Sequence, residues 1–509
     1  MKKYIYIASL FCASLFAGCD DFLTLESPDL SVDKFWRDSL DIEMGLSAAY
    51  GQLENRTSTY DMAEIKFPVE AFREDVMTAG ADVANYPNWG ELVNFSYTNG
   101  NSQLKSYWMN NYNGISYANN VLFGLDKLQK SDAPLSQESY DMYYGEASFL
   151  RGYYHLKLQL NWKQIVIRDA ISMLTESETH KALASREESW DFIITELKKA
   201  IKLPSVRKPE EMGRATSAAA YAYLGWAYLT RAYETPEKKS EYLNDAIKAF
   251  DKITDYSLEK DFLSMFNGTN KNCKESIFEI QFIETTADGT MHKHVLHKWI
   301  ASGYKLGGWD EIRPSEMILN ELKKEGRIAT TGDFLDSRAY ATAFFADPYF
   351  ETGKKVYNYN YSQILVDKKT GTAYTCFRKY LPDNNTALRN DLCSTNVPVM
   401  RYANVMLMKA EALNELGHPE QAIPLINEIR EVHGDMPPMV GTSQDDVRAQ
   451  IEHERLMEFS MENLRWYDLR RWGKLDEAMK AAGRMNFNEE KNSFYPIPLM
   501  EVQANNEID

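Results

Sequence analysis

VPVMRYANVMLMKAEALNELG (397–417), followed by HPEQAIPLINEIREVHG (418–434), is the stretch on which the fold class turns. Val405, Met408, Ala412 and Leu416 recur at helical spacing and share one face, and Gly417 supplies the stop. After His418-Pro419 a second helix carries Ala422, Leu425, Ile426 and Ile429 as its apolar stripe and ends at Gly434. A loop this short forces the two helices antiparallel. The spacing therefore predicts a helical hairpin, not a strand pair.

Working outward, Ala410, Gly417 and Ala422, then the larger Ile426, stand at the spacing of a tetratricopeptide repeat, in which small residues let paired helices approach. A second pair reads from Ala218 to Ile253: Leu224, Gly225 and Tyr228 in its first helix, Ala246, Ile247, Phe250 and Ile253 in its second, with an insertion around Pro236. A more degenerate pair spans Tyr140 to Leu160 and Trp190 to Leu203, closing at Pro204; Phe35 to Leu53 and Leu104 to Leu128 suggest a fourth. Together they predict a mostly α chain of about four stacked helix pairs, a short right-handed solenoid. Trp108 and Trp226 sit among apolar helical neighbours and are assigned to the core. Residues 60–100 read as loop, with Gly80, Pro87, Gly90 and Gly100. Residues 255–395 read as mixed: ESIFEIQFIE (275–284) has strand character, and Gly303, Gly307, Gly308 and Pro314 mark turns.

The N-terminus carries an address. Lys2 and Lys3 precede an apolar run from Tyr4 to Phe16, the layout of a secretory signal and too short to span a membrane. Leu15-Phe16-Ala17-Gly18-Cys19 resembles the bacterial lipobox, in which the cysteine becomes the lipid attachment point. Several acyl chains, at about 0.8 kcal/mol per buried methylene, hold a protein lastingly where one would not. Asp20 and Asp21 resemble the export signals of surface lipoproteins in Bacteroidota-type bacteria. The expected division is a signal peptide over 1–18 and one domain over 19–509. Within it, helix pairs occupy about 31–254 and 396–480, and an irregular mixed insertion about 255–395.

Composition excludes several classes. A formal charge of −17 offers no electrostatic attraction to nucleic acid or to an anionic membrane surface. Beyond the leader and Cys19 only Cys273, Cys376 and Cys393 remain, an odd number without metal-type spacing, which argues against a disulfide scaffold and a zinc site. A Cys376–Cys393 bridge is one alternative for two of them. Aromatic residues make up 13% of the chain, 31 Tyr and 10 Trp among them, enough to supply both a large core and exposed rings.

IEHERLMEFSMENLRWYDLRRWG (451–473) resembles the C-terminal signature of the SusD/RagB family of nutrient-binding outer-membrane lipoproteins, and Tyr495-Pro496-Ile497-Pro498 with Glu501 resembles its closing segment. Trp309 with Pro314 and Glu316, Asp336 with Arg338, Arg378-Lys379, the helix pair from Arg401, and Trp108 with Ala118-Asn119-Asn120 extend the likeness from the lipobox to the last residues. Asn505-Asn506 departs from the Asn-Pro often found there. The resemblance implies a binding protein without catalytic activity or cofactor. Such a protein sits as a lid over a SusC-like TonB-dependent transporter and delivers glycan or another nutrient to it. It also implies one α-rich domain in which tetratricopeptide-type pairs support an irregular ligand-binding part.

Arg455, Arg465, Arg470 and Arg471 with Glu454, Glu458 and Asp468 mimic an active site, but Leu456, Phe459 and Trp472 interleave with them. Paired charges tying the last helices to the core are expected instead, with Glu454 beside Glu458 and Arg465 beside Asp468. His292, His294 and His297 share no face of any single regular element, so solvated or transporter-facing histidines are expected rather than metal ligands. Nucleophile elbows, phosphate loops and HExxH helices do not occur. Sugar binding needs a flat ring against a pyranose face and polar groups at its edge. In the first irregular region Arg73, Asp75, Tyr86, Asn88 and Trp89 are the candidates; in the second, Trp299, Tyr304 and Trp309. The alternatives are a lipid-anchored glycoside hydrolase and a tetratricopeptide scaffold that binds only protein.

Overall fold

Helices begin where the sequence supplies caps. The structure, a computed structural model, describes residues 35–55, 63, 66–171, 176–285, 292–353 and 355–508. The signal peptide, Cys19 and the tether lie outside the described residues. The long helices are α1 (Ser39–Gly51), α2 (Ser102–Gln129), α3 (Gln137–Asn161), α4 (Arg186–Lys199), α5 (Ser217–Glu234), α6 (Lys239–Phe250), α7 (Tyr402–Glu415), α8 (Pro419–Gly434) and α9 (Gln444–Phe459). Asp38, Asn101, Ser136 and Thr216 cap α1, α2, α3 and α5 through their side chains. Ser185 with Glu188 and Ser443 with Asp446 close reciprocal boxes at the starts of α4 and α9.

The expected pairs form: α1 packs on α2, α3 on α4, α5 on α6 and α7 on α8, and α2 also lies along α3. Gly225 shows why small residues recur in these faces: a Cβ there would sit 2.2 Å from Cε1 of Phe250, across the α5–α6 contact. Between α6 and α7 the chain is a succession of short helices and strands. The helix expected from residue 397 starts five residues late. Val397–Arg401 is strand β6, antiparallel to β2 (Ser276–Ile280). Val-Pro-Val-Met suits a strand, and Pro398 disfavours helical backbone angles at the preceding Val397.

Residues 60–100 are less loop-like than their Gly and Pro content suggests. Lys66–Ala71 and Pro87–Val93 are short helices, and Met77–Ala79 is strand β1. β1 pairs antiparallel with β3 (Ile312–Pro314), Met77 opposite Pro314 and Ala79 opposite Ile312. β4 (Ala343–Phe344) and β5 (Cys376–Phe377) form a further two-stranded ladder. The β1–β3 pair brings the two irregular regions of the sequence together. Gly80 lies so close to Asp310 that a Cβ would fall 1.5 Å from its carbonyl oxygen, so only glycine fits.

Trp108 and Trp226 lie in the core as expected, joined by Trp162, Trp190 and Trp466. Truncating one such ring to alanine costs about 3–5 kcal/mol. Cys376 and Cys393 are buried free thiols, so the bridge alternative falls; burial pushes the Cys376 thiol up to about 12. No helix among the described residues is long and apolar enough to cross a membrane.

Candidate functional site

The signature at 451–473 is assembled on α9 and the short helix Arg465–Arg471, and its charges turn inward. Arg338 reaches Asp336 at 2.6 Å, Glu454 at 2.7 Å and Glu458 at 3.2 Å. Strand β6 delivers Arg401 to Glu275 at 2.6 Å and Glu458 at 2.9 Å, and to Glu462 at 2.8 Å. Arg430 holds the other oxygen of Glu454 at 2.6 Å, and Lys379 binds Glu462 at 2.9 Å. His433, fully buried on α8, bridges Glu275 and Glu458 at 3.0 Å on either side. Burial alone would push its imidazole down; the carboxylates of Glu458 and Glu275 override that and raise it to about 9. Burial raises the carboxyl of Glu458, but His433 and Arg401 outweigh it and hold it well below its usual range. Glu275, His433 and Glu458 converge closely enough to suggest a metal centre. The His433 imidazole, raised to about 9, carries a proton on both nitrogens and gives one to each carboxylate, while Arg401 and Arg338 supply further positive charge, so the donor set does not fit a cation. It is an imidazolium clamp.

This bears out the ion-pair reading of the signature and corrects its pairing. Arg465 does not meet Asp468 but forks onto Asp75 with both contacts at 3.0 Å, while Asp468 takes Arg455 at 2.6 Å and Arg471 at 2.9 Å. Arg470 instead donates to the Leu160 and Ser493 carbonyls.

That arrangement removes Arg73 and Asp75 from the ligand-facing set. Arg73 is buried between the rings of Trp466, Tyr467 and Tyr495 at 4.8, 5.3 and 4.9 Å and donates to Asn161 Oδ1 at 2.6 Å. Asp75 is consumed by Arg465, and its carbonyl by the Ser315 hydroxyl. Both are structural, because their partners seal them from solvent. Trp299 is 2% exposed and stacked near Phe72, so it too supports rather than contacts.

The rings left at the surface share one foundation. Tyr86 is 43% exposed and lies on Trp89 with centroids 3.9 Å apart; Trp89, 6% exposed, lies 4.7 Å from Trp299. Pro87 starts the helix that presents Trp89, with its missing N–H at a position that needs none. Trp309 is 40% exposed and hangs from the same base: its N–H donates to the Lys298 carbonyl and that of Glu311 to the Trp299 carbonyl. Asn88 is exposed beside Trp89 and donates to Ser102 Oγ at 2.7 Å. Tyr304 sits apart within the loop that ends at Trp309, half-buried, stacked on Tyr374 at 4.7 Å with its hydroxyl on the Val366 carbonyl. Tyr86, Asn88, Trp89 and Trp309 thus gather on the β1–β3 junction, with Trp299 beneath. Sequence reasoning missed Arg484, which donates to the carbonyls of Phe72, Val93, Glu74 and Met77 at 2.7–3.1 Å and fixes the loop carrying them. Nothing in its local sequence marks that role.

The three histidines do not converge. His292 meets Glu54 at 3.1 Å, while His294 and His297 are buried and bond the carbonyls of Thr395 and Asn390. The expectation of solvated histidines fails for the last two, which serve as loop ties.

Comparison with known proteins agrees along the chain. The family model described as the SusD family matches residues 274–509, and one described as starch-binding associating with outer membrane matches 21–229. A SusD-like protein of Formosa agariphila is 24% identical over 100% of this chain and 99% of its own length. A SusD-like protein of Bacteroides ovatus is 24% identical over 92% of this chain and 82% of its own. A SusD superfamily structure from Bacteroides vulgatus, 26% identical, superposes with a TM-score of 0.80 over 93% of this chain and 99% of that one. A laminarin-binding SusD-like protein, 22% identical, has the same fold with a TM-score of 0.73 over 93% of this chain and 99% of its own.

Proposed function

The chain belongs to the SusD family, and from that premise we propose that it is a surface lipoprotein anchored through Cys19 that binds oligosaccharide and passes it to a SusC-like TonB-dependent transporter. One observation carries the binding reading: Tyr86 stands exposed on Trp89, which lies against Trp299, and Trp309 stands exposed on the loop tied by its backbone to Lys298, with Asn88 exposed beside Trp89. Flat rings held from behind lose little entropy when a pyranose face lies on them, and edge amides serve its hydroxyls. The laminarin-binding relative of the same fold supports a glycan as cargo.

Binding without turnover is supported by the engagement of three carboxylates in these segments, while the Glu74 carboxyl, raised to about 8 by burial, is sealed from solvent. Asp310 is held by Arg313, Asp75 by Arg465, and Glu91 accepts from Asn101 at 2.7 Å. A hydrolase needs one carboxyl free to protonate and another free to attack. The reading is tested by titrating the purified protein calorimetrically with laminarihexaose, maltohexaose and cellohexaose while assaying reducing ends. Binding of at least one with no new reducing ends is expected, and steady release of reducing ends supports the hydrolase instead. Substituting Cys19→Ala should free the protein from outer-membrane fractions. Pull-down of the intact lipoprotein should recover a β-barrel transporter; a periplasmic partner alone favours the scaffold alternative.

A further inference from the structure

A cavity of about 580 Å³ opens between the 260–267 segment, the 340–358 segment and residues 378–383. It shares no lining residue with the Tyr86–Trp309 face, and its volume falls within the roughly 300–1,000 Å³ usual for small-molecule sites. One wall is Tyr349, stacked flat on buried Tyr340 with centroids 3.7 Å apart and planes within 5°. Tyr340 spends its hydroxyl on Asp347 and the Phe334 N–H. The Tyr349 hydroxyl has no hydrogen-bond partner among the described residues.

Tyr357 also lines the cavity. It and Asn358 lie at φ 48° and 71°, closing a two-residue turn between Val356 and Tyr359 whose backbone bonds are 2.9 and 3.0 Å. Such a turn wants Asn-Gly, and a bulky residue at positive φ is an outlier that turn chemistry does not explain. The Tyr357 hydroxyl donates to the Pro382 carbonyl at 2.7 Å, which fixes the ring at the cavity wall. Strain of this kind persists where a position is selected for what it presents.

Arg378 supplies the polar end. Its guanidinium rests over Phe344 at 5.2 Å and gives one bond to the Tyr340 carbonyl at 2.9 Å, with no carboxylate partner among the described residues. That contrasts with Arg338 and Arg401, each bound to three carboxylates. Around the cavity Lys260, Lys355 and Arg378 balance Asp261, Asp383 and Asp435, three against three, while the His433 charge is already shared by Glu275 and Glu458. A balanced lining gives a fully ionic ligand no net attraction. Fixed donors, fixed acceptors and two tyrosine rings match a neutral sugar, whose hydroxyls both donate and accept.

We propose that this cavity is a second saccharide site, taking a neutral pyranose unit independently of the Tyr86–Trp309 face. The proposal rests on the reading of the protein as a glycan binder. Two sites on one body would hold a long glycan at two points and raise its effective affinity without new contacts.

The test is calorimetry on the full-length protein in detergent with laminarihexaose, maltohexaose and cellohexaose. At least one hexaose should bind with two equivalents per chain. Tyr357→Asn suits the positive-φ turn while removing the ring, and its unfolding curve checks that it folds; it should lose one equivalent or weaken it at least tenfold, and Arg378→Met, which leaves the turn intact, should do the same. The double variant Tyr86→Ala/Trp309→Ala should lose the other equivalent. Unchanged binding in both cavity variants overturns the proposal and leaves the aromatic-face reading intact. Loss of all binding in the Tyr86/Trp309 variant likewise overturns it. Undiminished binding there, with Tyr357→Asn alone abolishing all binding, supports the cavity and sinks the aromatic face. No binding of any hexaose counts against both.

Discussion

The 451–473 signature and the Tyr86–Trp309 face are both crowded with the residues that sites are made of, yet the structure puts them to opposite uses. In the signature, guanidinium and carboxylate groups are sealed and satisfied: Glu458 alone serves Arg338, Arg401 and His433. At the aromatic face the rings Trp89 and Trp299 are buried, and Tyr86 and Trp309 are left facing water. The lesson is that partner satisfaction, not residue type, separates scaffold from surface. A charge with several close partners holds elements together, and a ring supported on one face can accept a ligand on the other.

The contrast can be broken most forcefully at Glu458. Glu458→Ala leaves two guanidiniums and an imidazole buried without their shared acid, and should cost about 3–5 kcal/mol in denaturant unfolding. A loss below about 1 kcal/mol would mean the network is not what ties α8, α9 and β6 together.

The next effect is in pH. His433 is raised from an ordinary 6.5 to about 9 in the folded protein, so its contribution is fully present below about pH 6.5 and disappears as pH rises through about 9. A shift of this size corresponds to about 3 kcal/mol. Wild type should therefore lose stability between pH 6.5 and 9, relative to His433→Gln, whose curve lacks that component. Parallel curves in urea titrations across this range would remove the imidazolium from the account.

On the other side of the comparison, Trp309→Ala should weaken oligosaccharide binding at least tenfold while the unfolding free energy stays within about 1 kcal/mol of wild type. A variant that unfolds early, or binds normally, would move Trp309 into the scaffold class. The smallest expected change is Tyr304→Phe, which gives up the bond to the Val366 carbonyl but keeps the stack on Tyr374. It should cost about 0.5–1.5 kcal/mol in stability, with affinity altered less than twofold as read by calorimetry.

Helix pairing was legible because its cause is local: apolar periodicity, caps and small residues at close approaches such as Gly225 all lie within one segment. β6 was misread as helix because its strand partner, Ser276–Ile280, lies more than a hundred residues earlier. The same reason defeated Arg73 and Asp75. They look like ligand-binding residues in a Gly-rich loop, but Asp75 is claimed by Arg465, which is 390 residues away in the chain. Tyr86, Asn88, Trp89 and Trp309 were recognisable as rings and amides in loops, and what sequence could not supply was the β1–β3 pairing that gathers them. Tyr349 and Tyr357 were passed over although DPYFETGKKVYNYNY (347–361) is dense in tyrosine, because no motif distinguishes a cavity wall from a surface loop.

The most direct measurement is a crystal structure of the protein soaked with the hexaose that calorimetry shows to bind. The account predicts a pyranose ring lying against Trp309 or Tyr86 with a hydroxyl reaching Asn88. Sugar density confined to other surfaces, with Tyr86 and Trp309 bare, would contradict it.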